Sequence, residues 1–224
     1  MEKLFRQNIL EGKTNIIEKY SLLFLVIIFS VGVAGHLFPP AKDLMLFLTP
    51  ATLLITNGIV VFNLIREKEK NLLLWMVLVY SATFTAEVIG VKTGVLFGSY
   101  EYGETLGLKI LEVPVIIGLN WVLVILGAIL LSQKIFKNDY LFFLLTGFLA
   151  FAFDFILEPS AISLNYWRWE DGTIPIQNYI SWFTLSLAAA VLFKKMNVKV
   201  EQNLPFSYLL IQSAFFLSLL FFMN

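Results

Sequence analysis

The chain has 224 residues, no cysteine, one histidine and 16 basic against 16 acidic side chains, and 58% of it is hydrophobic, including 22 Phe. Disulfides, thiol nucleophiles, haem-thiolate and Cys/His zinc sites are thereby excluded, and a zero net charge without a basic stripe argues against nucleic acid. A mean hydropathy of +0.81, gathered in blocks about a bilayer long, lies far outside the soluble globular range.

Apolar runs bounded by charges and breakers predict seven membrane-spanning helices, near residues 20–37, 43–65, 72–91, 113–132, 139–158, 177–193 and 204–222. The expected fold is all-α: a polytopic integral membrane protein in which residues 1–224 form one helical domain. The first run is read as a retained span rather than a signal peptide, because its leading region is long and carries Glu2, Glu11 and Glu18. Lys3, Arg6, Lys13, Lys19, Arg66, Lys68, Lys70, Lys134, Lys137, Lys194, Lys195 and Lys199 fall on the side of the N-terminus. Only Lys42, Lys92, Lys109 and Arg168 fall opposite. That asymmetry predicts a cytoplasmic N-terminus and an external C-terminus in the cell (inner) membrane, since outer-membrane proteins are barrels.

Three carboxylates interrupt these runs. Glu87 lies in LVYSATFTAEVIGV, and Asp154 and Glu158 in FLLTGFLAFAFDFILEP. An acid near the middle of a span costs roughly 2.5–3.5 kcal/mol on insertion scales, so such residues point to function. The i, i+4 spacing of Asp154 and Glu158 stacks both on one helix face, with Glu158 expected at the helix exit before Pro159. Two acids facing each other in an apolar setting do not both ionise cheaply, so one is expected to carry a proton it can donate. Lys92, one turn beyond Glu87, offers that acid a plain ion-pair partner instead.

With the orientation above, the polar interruptions collect at the extracytoplasmic helix ends: the three acids, Asn120 and Trp121 in the fourth span, and Asn178, Tyr179 and Trp182 opening the sixth. His36 and Asp43 share that side, His36 reading as a local cap. Two connections border this level, residues 91–114 and 159–175. Both are aromatic-rich, and the first, with Phe97, Tyr100 and Tyr102 among Gly94, Gly98, Gly103 and Gly107, suits tight turns or a re-entrant segment. Trp121, Trp167, Trp169, Trp182, Tyr100, Tyr102, Tyr166 and Tyr179 also read as an interfacial aromatic belt, the reading that composition alone favours, and Asn120 and Asn178 as amides bridging helices. V-P-V-x5-W (Val113 to Trp121) and I-P-I-x5-W (Ile174 to Trp182) each follow an acid and an aromatic loop, a weak parallel repeat.

G-V-K-T-G-V-L-F-G-S-Y-E-Y-G (Gly90 to Gly103), V-P-V-I-I-G-L-N-W (Val113 to Trp121), D-F-I-L-E-P (Asp154 to Pro159) and the stretch from Y-W-R-W to I-P-I-Q-N-Y-I-S-W-F (Tyr166 to Phe183) resemble the carotenoid biosynthesis membrane proteins, the family of the carotenoid 1,2-hydratases and bisanhydrobacterioruberin hydratase. The resemblance covers residues 80–185. It implies cofactor-free addition of water across the terminal C-1,2 double bond of an acyclic carotenoid, with the lipid-soluble substrate entering from the bilayer and other carotenoid enzymes as possible partners. Such a reaction needs a positioned acid, protection of a tertiary cation and one water. Asp154 is then expected as proton donor and Glu158 or Glu87 as the carboxylate that activates water. Substrate contacts are expected from Tyr100, Tyr102, Asn120, Trp121, Trp167, Asn178, Tyr179 and Trp182, without metal. Rival readings are an end-group cyclase or isomerase using the same cation, a carotenoid-binding protein without chemistry, and a transporter. A retinal-type Schiff base lacks its lysine in the last span, and a prenyltransferase lacks basic residues for diphosphate.

Overall fold

The computed structural model of the protein describes residues 2–223, with side chains described from residue 16 onward. Lys3, Arg6 and Lys13 of the orientation argument, and Glu2 and Glu11 of the retained-span argument, lie outside the residues whose side chains are described. Seven helices among the described residues are long and apolar enough to span a membrane. They are α1 (Glu2–Leu37, apolar from Ile16), α2 (Pro39–Arg66), α3 (Lys70–Thr93), α4 (Val115–Ile135), α5 (Asp139–Ser163), α6 (Ile176–Lys195) and α7 (Leu204–Phe222).

The run that is apolar on every face takes the centre. Every residue from Asn120 to Leu130 of α4 is buried, and α4 packs against α2, α3, α5, α6 and α7. The outer helices bury only one stripe. In α5 that stripe is Ala150, Phe153, Asp154, Leu157, Glu158 and Ala161, whereas Phe148 and Phe155 face outward at 55% and 57% exposure. The acids therefore point to the interior because they share the helical period of the packing residues, not because a loop turns them in.

Helix boundaries follow local chemistry. Pro39 starts α2, Asn138 caps α5 by accepting from the Leu141 N–H at 3.1 Å, and Gly94 ends α3 in the left-handed conformation with φ +66°. Pro114 and Pro175 occupy the same place, each the N-cap of its helix with extended backbone, so the repeated V-P-V and I-P-I motifs are two matching helix starts.

Two expectations are corrected. Pro159 does not end α5. The helix continues to Ser163, giving up the bond that residue 159 would donate to the Phe155 carbonyl, and Glu158 is a turn inside the helix at 1% exposure rather than at the headgroup level. The two long connections also hold more than turns, since each contributes a strand. β1 (Tyr100–Tyr102) in the first pairs antiparallel with β4 (Trp167–Trp169) in the second, in the register Tyr100–Trp169, Glu101–Arg168 and Tyr102–Trp167. β2 (Lys109–Ile110) and β3 (Val113–Pro114) form a second small hairpin. Together they cap one end of the bundle.

Candidate active site

The alternation of Y-E-Y and W-R-W decides what the cap presents. With a side-chain period of two, Tyr100, Tyr102, Trp167 and Trp169 all turn inward and are buried. Glu101 and Arg168 turn outward and form an ion pair. The inward rings close over the three acids, which are 3% (Glu87), 1% (Asp154) and 1% (Glu158) exposed.

Each carboxyl has its own set of donors. Both Trp167 and Trp169 donate their indole N–H to the same oxygen of Glu158, Oε2, at 3.0 Å each. Asn178, in the first turn of α6, donates its amide N–H groups to Glu158 Oε1 at 3.2 Å and to Asp154 Oδ2 at 2.5 Å. Glu158 thus accepts three N–H bonds and Asp154 one. Indole and amide N–H groups only donate, so these three bonds suit a carboxylate at Glu158. Glu87 on α3 accepts from the Tyr100 hydroxyl, and the Tyr102 hydroxyl stands beside the same carboxyl. Lys92 is exposed and makes no ion pair with it.

Gly90, one turn after Glu87, makes that contact possible. A Cβ there would overlap the Phe97 ring and sit 3.1 Å from the Tyr100 hydroxyl. Burial, and next the Glu87 charge, push the Tyr100 and Tyr102 phenols well above their ordinary range, so both stay protonated as donors.

Aromatic faces complete the enclosure. Trp121 of α4 and Trp182 of α6, each seven residues after its helix-starting proline, stack with centroids 3.5 Å apart and planes at 14°. Phe97 stacks on the far side of Trp182 at 5.1 Å. The cavity left between these rings and the acids measures about 20 Å³. That is room for about one water molecule. The N–H donors already occupy the lone pairs of Glu158 Oε2 that a metal cation would need.

Of the residues expected from sequence, Glu87, Asp154, Glu158, Tyr100, Tyr102, Trp121, Trp167, Asn178 and Trp182 line this cavity. Two do not. Asn120 turns to α7, where its Oδ1 accepts from Gln212 Nε2 at 3.0 Å, the bridging role open to a membrane amide. Tyr179 stands on the outer face of α6, half-buried against Phe151 and Phe155. Nor does the cap act as an interfacial belt, since Trp121, Trp167, Trp169, Trp182, Tyr100, Tyr102 and Tyr166 are all buried. Trp169 and Phe97 were missed as site residues. The W-R-W alternation places Trp169 on the same face as Trp167, whereas nothing local marks Phe97.

The fold and site define a polytopic membrane protein with acid–base groups enclosed by aromatic rings beneath a two-stranded cap. The carotenoid biosynthesis protein family matches residues 48–224, most of the chain, and the chain belongs to that family. It is similar to the bisanhydrobacterioruberin hydratase of Haloarcula japonica, with 28% identity over 135 residues that make up 57% of this chain and 45% of that protein. The alignment thus spans under half the length of the relative. No solved structure matches.

Proposed function

We propose that the chain hydrates the terminal C-1,2 double bond of an acyclic carotenoid. The observation that carries this reading is the unequal donor shell of the acid pair beside a cavity the size of one water. Asp154, with one N–H donor, delivers a proton to C-2 of the alkene. The tertiary cation left at C-1 lies among the rings that line the cavity, Tyr100, Trp121 and Trp169 among them, whose π systems attract positive charge. Water adds to C-1 and loses its proton to Glu158, and transfer of that proton back to Asp154 restores the starting state. No proton is consumed overall, so the chemistry needs only substrate and water. Glu87, held by phenols on the opposite wall, adds negative charge near the cation. The relative's name and the family fit this chemistry.

The test is expression in a bacterial host that accumulates an acyclic carotenoid, with mass spectrometry of the pigments. Wild-type protein is expected to give a product heavier by one water, and Asp154→Asn and Glu158→Gln, each checked for folding, are expected to give none. A product of unchanged mass would instead assign the same cation to cyclisation or isomerisation, and full activity in Asp154→Asn would remove that residue as donor.

A further inference from the structure

The acid cavity as it stands holds one water, and an isoprenoid end reaches Asp154 only when the cap rings move aside; a second and larger cavity lies beyond its wall. It measures about 160 Å³ and is lined from α1, α2 and α7 chiefly by apolar side chains, including Val31, Leu48, Leu53 and Phe215. An apolar void of about 150 Å³ holds a benzene-sized guest. Val31 and Leu48 are exposed at 57% and 39%, on the outer faces of helices apolar enough to span a bilayer, so the cavity opens towards lipid rather than into the bundle. The partition from the acid site is a short run of packed rings. Phe216 packs edge-on against Phe153 and Phe153 edge-on against Trp121, while Tyr166 precedes Trp167 in the cap.

One polar group in this lining is unsatisfied. His36, the only histidine, is 8% exposed. Its Nδ1 lies 2.7 Å from the Gly32 carbonyl, which can only accept, so Nδ1 carries the proton. The neutral ring then leaves Nε2 as a bare acceptor, and Nε2 is buried with no partner. A buried acceptor without a donor costs on the order of 1–3 kcal/mol, which a guest with one O–H would recover. Hydrocarbon would fill the cavity without doing so.

We propose that this cavity is a binding subsite for an isoprenoid end bearing a tertiary hydroxyl, the group that hydration creates, with the hydroxyl donating to His36 Nε2. The inference rests on the hydration reading for the identity of its ligand. It makes the cavity the station between reaction and return to the bilayer. The lining is chiefly apolar, with Thr49, Thr52, Tyr166 and Gln212 as its other polar side chains, and the buried, unpartnered acceptor at His36 Nε2 is what distinguishes alcohol from alkene at the same carbon skeleton.

A single histidine makes the test direct. Full-length protein labelled with nitrogen-15 histidine gives one imidazole pair of resonances. Dihydromyrcenol, a short acyclic tertiary alcohol, is expected to move the Nε2 resonance upfield and saturably, whereas dihydromyrcene, the alkene of which it is the hydrate, and straight-chain octanol are expected to leave it in place. Gly32→Val, whose Cβ would stand 3.2 Å from the Phe215 ring within the lining, is expected to lose the response while keeping the His36 signal. Equal responses to all three probes, no response to the alcohol, or an undiminished response in Gly32→Val would overturn the proposal. The wild-type titration decides alone if that variant does not fold. Binding is read without turnover, so a chain that takes the alcohol but hydrates nothing would lose the catalytic reading and keep the subsite.

Discussion

Glu158 is the residue on which most of the site converges. Its two indole donors come from positions two apart on β4, so they are separate handles on one oxygen. Hydrogen bonds to a charged group are worth about 1.5–3 kcal/mol, and in the proposed reaction each one lost shifts the balance by which Glu158 gains and releases a proton. Trp169→Phe replaces the buried indole by a smaller phenyl ring and deletes the N–H, and is expected to lower turnover roughly tenfold to a hundredfold and to lower the melting temperature in detergent, as pigment assays and thermal denaturation would show. Equal activity would mean the indole N–H groups merely pack. The tyrosines make a different prediction. Tyr166 is pushed up to about 12 by burial, and Tyr100 and Tyr102 are raised in the same direction. Below the ordinary phenol value near pH 10 both folded and unfolded chains are protonated, and these groups leave stability unchanged with pH. Above it only the unfolded chain ionises readily, so stability is expected to fall as pH rises from about 10 through about 12. With the exposed Tyr20 and Tyr140 replaced by Phe, phenolate absorbance from the cap should then appear together with unfolding, and early absorbance in a fully folded protein would contradict the enclosure of the cap.

At the scale of elements, the spanning helices were legible because a bilayer demands long apolar runs, and the seven runs correspond to the seven helices within a few residues. The continuation of α5 through Pro159 was not, since a proline in the last turns of a buried helix forfeits one bond that packing can offset. The cap was half legible. The alternation in Y-E-Y and W-R-W is a strand signal, but a three-residue strand gains its structure from a partner 67 positions away, as the Glu101–Arg168 bond shows, and local sequence does not name that partner. That exposed pair is worth at most about 1 kcal/mol, so the inward rings, not the charges, hold the strands. The β2–β3 hairpin carries a flaw that can be repaired. Leu111 and Glu112 form its two-residue turn with φ of +51° and +70°, a conformation costing non-glycine residues about 1–2 kcal/mol each. Replacing the pair by Asn-Gly is expected to raise stability by about 1 kcal/mol or more, measured as a higher melting temperature, with hydration unaffected because both side chains are exposed and remote from the acids.

Across the whole molecule, the weak sequence repeat has a structural counterpart. α3–β1–α4 and α5–β4–α6 each run acid, inward aromatic strand, proline-started helix and tryptophan. The two units meet with β1 antiparallel to β4 and with Trp121 stacked on Trp182. Such an arrangement suits two helix pairs related by an axis along the membrane normal, and it explains why the site lies at one end of the bundle: only there do both connections reach the shared axis. The three acids were legible because apolar runs make them conspicuous, whereas Asn120 and Tyr179 were indistinguishable by residue type from amides and rings that enter the site, and only the helical phase relative to α7 and α6 separates them. The end that holds the site also decides from which compartment water arrives, and the lysine asymmetry predicts the outside. The absence of cysteine makes this testable without first removing native thiols. Thr173 in the cap loop and Lys199 between α6 and α7 are both exposed, at opposite ends of α6. In intact cells, Thr173→Cys is expected to react with a membrane-impermeant maleimide and Lys199→Cys only after lysis. The reverse pattern would invert the protein and place the acids, their water and the cap at the cytoplasmic surface.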